Sequence, residues 1–300
     1  MLFRSADQGE NWHLGLWGFL VAELAEDVDI PGVMKIGQTT AEPTIVLDGD
    51  SASVAELYAL NSAVLENVYP TKTAETEKEI PTFGYDGKIA LAPAVKVAKP
   101  KVLIPVFPGT NCEYDSARAV MCAGAEADIV VIRNLTAEDV SRSVEEVAKR
   151  IADSQMIFLP GGFSGGDEPD GSAKFITAFF RNPAIKEQVT ALLENRDGLM
   201  LGICNGFQAL IKLGLVPYGK IMDTDENCPT LTFNTIARHQ SRIVHTRVAT
   251  NKSPWLAGTE VGKVYNVPIS HGEGRFYASE ELAMALAANG QIATQYVISM

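Results

Sequence analysis

A parallel β-sheet with α-helices on both faces is the fold class that this sequence predicts for residues 101–300. Three observations predict it. Short runs of β-branched and other apolar residues alternate with helical segments. A glycine-rich loop follows the third apolar run, and the fourth run ends at a cysteine between glycines. Because helices that join parallel strands pack on the faces of the sheet, we expect an α/β domain with functional residues at the carboxyl ends of its strands.

The predicted elements follow in chain order. Four apolar runs predict the strands, and they are KVLIPVF (101–107), DIVVI (128–132), MIFLP (156–160) and GLMLGI (198–203). The segment 115–125 predicts a helix between the first two strands. The helix predicted over 136–151 begins at a Thr136 cap, with Asp139 three residues later. Its apolar residues recur at helical spacing, which predicts one buried face.

A small α+β segment precedes the predicted sheet. The run SVAELYALNSAVLENVY (53–69) predicts a helix, and residues 33–49 predict two strands joined by a turn. Residues 70–100 contain four prolines and no sustained helical period, which is typical of a linker or an extended surface segment. We therefore expect a front unit over 1–75, a linker over 76–100 and a main domain over 101–300.

Composition and charge exclude several classes of function. Hydrophobic residues make up 46% and charged residues 21% of the chain, as in globular proteins of the cytoplasm, which is where we expect this one. No apolar run approaches the roughly 20 residues that cross a bilayer, and the N-terminus lacks a secretory pattern. The net charge is 25 − 37 = −12, so we expect neither a nucleic-acid nor a membrane partner.

The four cysteines are Cys112, Cys122, Cys204 and Cys228. No pair has the CxxC spacing of zinc sites or thioredoxin-type redox sites, so we expect no metal. A disulfide framework is equally unexpected in a chain of this size without an export signal. For Cys112 and Cys122 we expect packing roles.

Cys204 stands in LGICNGFQAL, between Gly202 and Gly206. G-I-C-N-G is the cysteine counterpart of the G-x-S-x-G turn, in which a nucleophile sits between a strand and a helix. The N-terminus of the following helix would favour the thiolate form of the cysteine. The alternative is a buried cysteine beside glycines that only allow close helix packing.

A thiolate nucleophile needs a general base and a group that orients this base. Among His13, His239, His245 and His271, only His271 has a carboxylate two residues later, Glu273. On an extended segment the two side chains would share a side, and Glu273 would fix the ring tautomer. His239 and His245 lie in a predicted strand region and are typical of surface or packing residues.

Acyl transfer also needs hydrogen-bond donors for an oxyanion. The backbone N–H of Asn205, directly after the cysteine, is one candidate. The second candidate is the N–H of Gly162 in the loop LPGGFSGGD, because glycine lets the backbone face a substrate. A phosphate-binding loop is the alternative, but it is disfavoured by the acidic residues that follow, Asp167, Glu168 and Asp170.

Four motifs, taken together and in this order, resemble the class I (triad) glutamine amidotransferases. They are FPGTNCEYDSARA (107–119), LPGGFSGGDEPDGSAKFI (159–176), LGICNGFQALIKLGLVP (201–217) and HGEGRF (271–276). The resemblance covers residues 100–300 and implies a flavodoxin-like α/β fold. It implies a triad of Cys204, His271 and Glu273 and an oxyanion hole of Gly162 and Asn205. It further implies that Gln208 contacts bound glutamine and that Asn234 lies at the substrate rim.

The resemblance also implies partners. L-Glutamine would be the substrate, and ammonia would pass to a synthetase half of the same enzyme that uses ATP and magnesium in purine biosynthesis. Residues 32–75 resemble the end of that synthetase half in the single-chain form of the enzyme. We therefore expect a fragment that lacks most of the synthetase half and several dozen C-terminal residues, with no cofactor of its own. The alternatives are an inactive or regulatory fragment and a related cysteine hydrolase of the peptidase or deglycase type.

Overall fold

The structure is a computed structural model that describes residues 22–33, 35–47, 49–68, 81–85, 87, 93–164 and 173–298. The chain divides into two compact units, residues 1–74 and 75–300. His13 and the other residues of the first 21 positions lie outside the described residues.

The front unit contains a hairpin and a helix. Strand β1 (Thr44–Leu47) pairs antiparallel with β2 (Asp50–Ser53), and helix α1 covers Val54–Ala63. Of the two strands predicted within 33–49, the described residues contain one, β1. Its partner β2 follows this range, at Asp50–Ser53. Gly49 has a φ of +94°, which glycine adopts readily, so the chain reverses there and pairs Leu47 with Asp50.

Helix α1 begins with a reciprocal capping arrangement. The backbone N–H of Glu56 donates to the Ser53 hydroxyl, and the Glu56 carboxylate accepts from the Ser53 N–H. The helix ends at Ala63 and is therefore shorter than predicted. None of its ten residues, all of them described, is buried. Without a buried face, little tertiary packing supports the extra turns.

The larger unit is built on four parallel strands. They are β3 (Lys101–Val106), β4 (Glu126–Val131), β5 (Met156–Leu159) and β6 (Leu199–Gly202), in the spatial order β4-β3-β5-β6. The helices between them are α2 (Glu113–Cys122), α3 (Ala137–Asp153), α4 (Lys174–Phe180) and α5 (Pro183–Thr190). The first strand thus lies between the second and the third, as in flavodoxin-type sheets.

Two apolar cores show that helices cover both faces of this sheet. On one face, Leu103 and Ile157 pack with Val147 of α3 and with residues of α4 and α5. On the other face, Ile104 packs with Ala117 of α2. Neighbouring residues of β3 alternate between the two cores, as the period of two in a strand requires. The predicted fold class is confirmed.

Helix α3 begins as the sequence predicts. Thr136 accepts a hydrogen bond from the Asp139 N–H, and the Asp139 carboxylate accepts from the Thr136 N–H. Val147 and Ile151, on its apolar stripe, are fully buried. The capping residues and the stripe together determine where this helix starts and which face it buries.

The remaining elements follow β6. They are α6 (Asn205–Leu213), α7 (Leu215–Tyr218), β7 (Thr230–Thr232), β8 (Gln240–Val248), β9 (Val264–His271), β10 (Arg275–Tyr277), α8 (Glu280–Ala288) and β11 (Thr294–Val297). Strands β11, β8 and β9 form one antiparallel sheet, and β7 pairs antiparallel with β10. His271 is therefore the last residue of a strand.

Part of the predicted linker is hydrogen-bonded to other residues of the larger unit. Arg247 on β8 donates to the carbonyl of Phe83, whose N–H donates to the Gln295 side chain. No helix in the described part of the chain is long and apolar enough to cross a membrane.

Helix α6 lies directly against the end of β5. A Cβ placed on Gly206 would lie 2.1 Å from the carbonyl oxygen of Leu159, far inside van der Waals contact. Gly206 is buried, so the helix cannot make room without leaving the sheet. The start of α6 is therefore held where only a glycine fits.

We predict that Gly206→Ala lowers the free energy of unfolding by at least about 1–3 kcal/mol, the usual cost of overpacking. Urea unfolding followed by circular dichroism measures the loss. Gly258→Ala is the matched control, since no atom lies within 4 Å of its Cβ position, and its change should stay within about 0.5 kcal/mol. Equal midpoints for the two variants would show that α6 moves off β5 at little cost.

Candidate active site

A sharp turn places Cys204 between β6 and α6. Cys204 has φ 52° and ψ −111°, a backbone conformation that non-glycine residues rarely adopt. A Cβ on Gly202 would lie 2.5 Å from the carbonyl oxygen of Gly206, so the turn closes tightly on itself. The strained position is the one that the cysteine occupies, as in the G-x-S-x-G turn.

Cys204 is exposed, which excludes the alternative of a buried cysteine that only packs. Cys112 and Cys122 are exposed as well, so the prediction of packing roles for these two is wrong. Cys112 precedes α2 with φ 69°, and Cys122 ends α2. The sequence did not reveal that Cys112 comes before α2 or that Cys122 lies on the side of α2 away from the core.

The predicted glycine loop lies beside this cysteine. A Cβ on Gly161 would lie 3.9 Å from the Cys204 sulfur. Gly162 forms a bridge with Thr110, in which Asn111 donates to Gly161 and Phe163 donates to Gly109. These two bonds do not use the N–H of Gly162. The loop residues Asp167, Glu168 and Asp170 lie outside the described residues.

Buried polar side chains join the glycine loop to the cysteine turn. The Ser164 hydroxyl donates to Asn205 Oδ1 at 2.7 Å, and the Ser164 N–H donates to the same atom at 3.2 Å. Asn205 Nδ2 donates to Gln208 Oε1 at 2.9 Å. Ser164 and Asn205 are almost fully buried, where bonds of this kind are strong and costly to break.

His271 ends β9, and the chain bends directly after it. The expectation that residues 271–273 continue an extended segment is therefore wrong. A Cβ on Gly274 would lie about 2.5 Å from ring atoms of His271, so the imidazole folds over this glycine. The Nδ1 atom is buried without a hydrogen-bond partner. The predicted orientation of His271 by Glu273 stays a prediction.

Two side-chain amides contact the backbone of this bend. Gln208 Nε2 donates to the carbonyl of Glu273 at 3.2 Å. Asn234 Nδ2 donates to the carbonyl of His271 at 2.7 Å, and the Asn234 N–H donates to Gly272 at 2.8 Å. The structure thus brings the Cys204 turn, the His271 bend, Gln208 and Asn234 into one linked region. Contact of Gln208 or Asn234 with glutamine stays a prediction.

His239 is a neighbour of the site that sequence reasoning missed. Its ring Nε2 lies 2.9 Å from the hydroxyl of Ser270, next to His271. Burial of the ring lowers the pKa of His271 below its ordinary value of 6.5, and repulsion from His239 lowers it further. A lowered pKa keeps the imidazole neutral near pH 7. The pairing of β8 with β9, invisible in the sequence, brings these histidines together.

Ser164 is a second residue that sequence reasoning missed. It belongs to the predicted glycine loop, but its hydroxyl gave no signal, because its partner Asn205 lies 41 positions away. Within the described residues, no group of three His, Cys, Asp or Glu side chains is placed to hold a metal ion.

Comparison with known proteins adds the family. A family model described as a CobB/CobQ-like glutamine amidotransferase domain matches residues 99–299, about two thirds of the chain. The chain belongs to this family. The predicted resemblance to glutamine amidotransferases is thereby confirmed.

Two relatives of this amidotransferase domain carry the same name. The phosphoribosylformylglycinamidine synthase subunit PurQ of Methanococcus maripaludis is 38% identical over 197 residues, and the match spans 66% of each protein. The subunit of the same name from Sulfurimonas denitrificans is 32% identical over 200 residues, which are 65% of this chain and 74% of the relative. In the structure of PurLQS from Thermotoga maritima, a chain 26% identical superposes with a TM-score of 0.48, over 67% of this chain and 76% of its own.

We predict that His239→Gln raises the pKa of His271 in this amidotransferase domain, because one repulsive cation is removed. The pKa should stay below 6.5, since burial is the larger cause of its shift. A pH titration of the imidazole proton signals by NMR measures both values.

His245→Gln is the matched control for this titration. His245 lies on β8, which begins directly after His239, and its ring bonds Asn266. It is five positions from Gln240, the residue that faces His271, or about 17 Å along the strand. Its replacement should leave the His271 titration unchanged. A fall in the His271 pKa in His239→Gln would contradict the assignment.

Proposed function

We propose that this chain is the glutaminase part of a phosphoribosylformylglycinamidine synthase. It hydrolyses L-glutamine and supplies ammonia for the ATP-dependent conversion of formylglycinamide ribonucleotide to formylglycinamidine ribonucleotide, in de novo purine biosynthesis. The names of the relatives support the substrate and the pathway. The observation that carries the proposal is the exposed, strained Cys204 beside the loop of Gly161 and Gly162.

The chemistry begins at the Cys204 sulfur. The thiolate attacks the side-chain amide carbon of glutamine, and the negative charge moves to the amide oxygen. The backbone N–H groups of Gly162 and Asn205 hold this oxyanion. His271 takes the thiol proton and returns it to the leaving nitrogen, so the carbon–nitrogen bond breaks and ammonia departs. A thioester joins Cys204 to the glutamyl group.

Water completes the reaction. His271 takes a proton from the water, whose oxygen attacks the thioester carbon. The carbon–sulfur bond then breaks, and glutamate leaves. A general base acts best with a pKa near the working pH, and the lowered pKa keeps His271 unprotonated near neutrality. Glu273 orients the ring and stabilises its protonated form in this proposal.

The synthetase half of the enzyme is the proposed partner, and the front unit is the end of this half in a single-chain enzyme. ATP and magnesium are assigned to the synthetase half, so this chain needs no cofactor for its own step. The family match favours a glutaminase over the peptidase or deglycase type of cysteine hydrolase.

One observation favours a second candidate, a fragment whose site is assembled but idle. His271 Nδ1 is buried without a hydrogen-bond partner, although the orienting bond of a triad would end at a ring nitrogen. In this second case the synthetase partner would complete the site, as in enzymes whose loops close on binding. Labelling of the thiol separates the two cases.

We predict that a diazo-ketone analogue of glutamine adds once to the parent chain and not to Cys204→Ala. The diazo carbon takes up the thiol proton, the thiolate attacks this carbon, and dinitrogen leaves. Intact-protein mass spectrometry measures the adduct, and excess glutamine should suppress it. Cys112→Ala is the control, because its thiol is also exposed but lies outside the turn, and it should label like the parent.

The outcomes separate the proposed functions. A folded chain that labels only with the synthetase half present would establish the idle fragment. A label on Cys112 or Cys228 would show that Cys204 is not the nucleophile.

A further inference from the structure

Three successive carbonyls of the segment His271–Gly272–Glu273 accept hydrogen bonds from two residues, Asn234 and Gln208. Asn234 donates to the carbonyls of His271 and Gly272, through its side chain and its backbone. Gln208 donates to the carbonyl of Glu273. A bend that ends a strand normally leaves its carbonyls to water. Here every carbonyl of the segment that carries the proposed base and its carboxylate has a protein donor.

Gln208 ties this segment to the nucleophile. It lies four residues after Cys204, on the first turn of α6, and its N–H donates to the Cys204 carbonyl at 3.0 Å. Its side chain is only 7% exposed. Both polar ends of its carboxamide are used, because Oε1 accepts from Asn205 while Nε2 donates to Glu273. Cys204 is therefore connected to the bend through one helical turn and the Gln208 side chain.

Asn234 holds the same segment from the other side. Its Nδ2 donates both to His271 and to Arg238, at 2.7 and 3.0 Å. It comes two residues after β7, whose partner β10 begins directly after the bend at Arg275. Arg275 in turn donates to the carbonyl of Phe233. The β7–β10 pair therefore supports the position of His271, in addition to its own strand β9.

We infer that Gln208 and Asn234 are positioning residues, which set the imidazole of His271 against the thiol of Cys204. Their amides act on the backbone of the bend. The inference rests on the proposed function for its catalytic meaning. The hydrogen bonds of Gln208 and Asn234 to the bend, here called the clamp, act on the geometry of His271 itself. Loss of either amide releases the bend, exposes the ring to water and moves the base away from the thiol.

The test uses the full chain with two uncharged replacements of similar size, Gln208→Met and Asn234→Leu. Asn251→Leu is the matched control, because Asn251 Nδ2 also donates from a half-buried position to a backbone carbonyl, that of Thr259. The first readout is the His271 pKa by NMR. The second is labelling of Cys204 by the diazo-ketone analogue, resolved into its maximal rate and its half-saturating concentration.

Both clamp variants should raise the His271 pKa toward 6.5, since water replaces the buried setting that lowers it. The maximal labelling rate should fall by about 10- to 100-fold, as misplacement of a reacting group by about 1 Å does. The half-saturating concentration should change little. Asn251→Leu should lower only the melting temperature. Should a replacement prevent folding, Gln208→Asn and Asn234→Ser, which are shorter but polar, take its place.

An unchanged His271 pKa together with an unchanged maximal rate in folded variants would overturn the inference. A higher half-saturating concentration at an unchanged maximal rate would show instead that the amides bind the substrate. A parent chain that resists the diazo-ketone would count against the proposed function alone. The His271 titration would then still decide whether the clamp exists.

Discussion

The close approach of Gly206 to the carbonyl of Leu159 is the contact on which the site depends. It brings the start of α6 against the end of β5, so the chain must leave β6 through a turn of only two residues. Cys204 occupies this turn and takes a backbone conformation that costs about 1–3 kcal/mol. The surrounding core, formed by the sheet and by α3 to α6, holds the turn in place.

The second constraint is electrostatic. Ser164, Asn205 and Gln208 form a chain of hydrogen bonds in a region with little water, where an unpaired amide costs about 1–3 kcal/mol. Each member therefore fixes its neighbour, and the chain connects the glycine loop, the cysteine turn and the histidine bend. Of the proposed oxyanion donors, Asn205 belongs to the first link of this chain, and Gly162 lies two residues before Ser164, the other partner of that link.

How far the sequence predicts this molecule depends on how local each signal is. The strands of the parallel sheet, the cap at Thr136 and the turn at Cys204 follow from neighbouring residues, and the structure contains them all. The partner of β1 was expected before residue 49 but follows it, because Gly49 reverses the chain by its backbone conformation and no apolar pattern marks this turn. His239, Ser164 and the contacts of Asn234 depend on partners tens of residues away. Such contacts arise when strands pair, and the periodicity of apolar residues along the sequence does not show which strands pair.

The strained backbone at Cys204 costs stability at the position that carries the thiol. Glycine adopts a φ of 52° with a ψ of −111° without steric cost, so glycine at position 204 would relieve the turn and remove the thiol in one step. Substitutions selected for thermal resistance alone would therefore favour glycine at this position and remove the thiol. Thermal resistance and an exposed thiol at position 204 thus compete with each other in this chain.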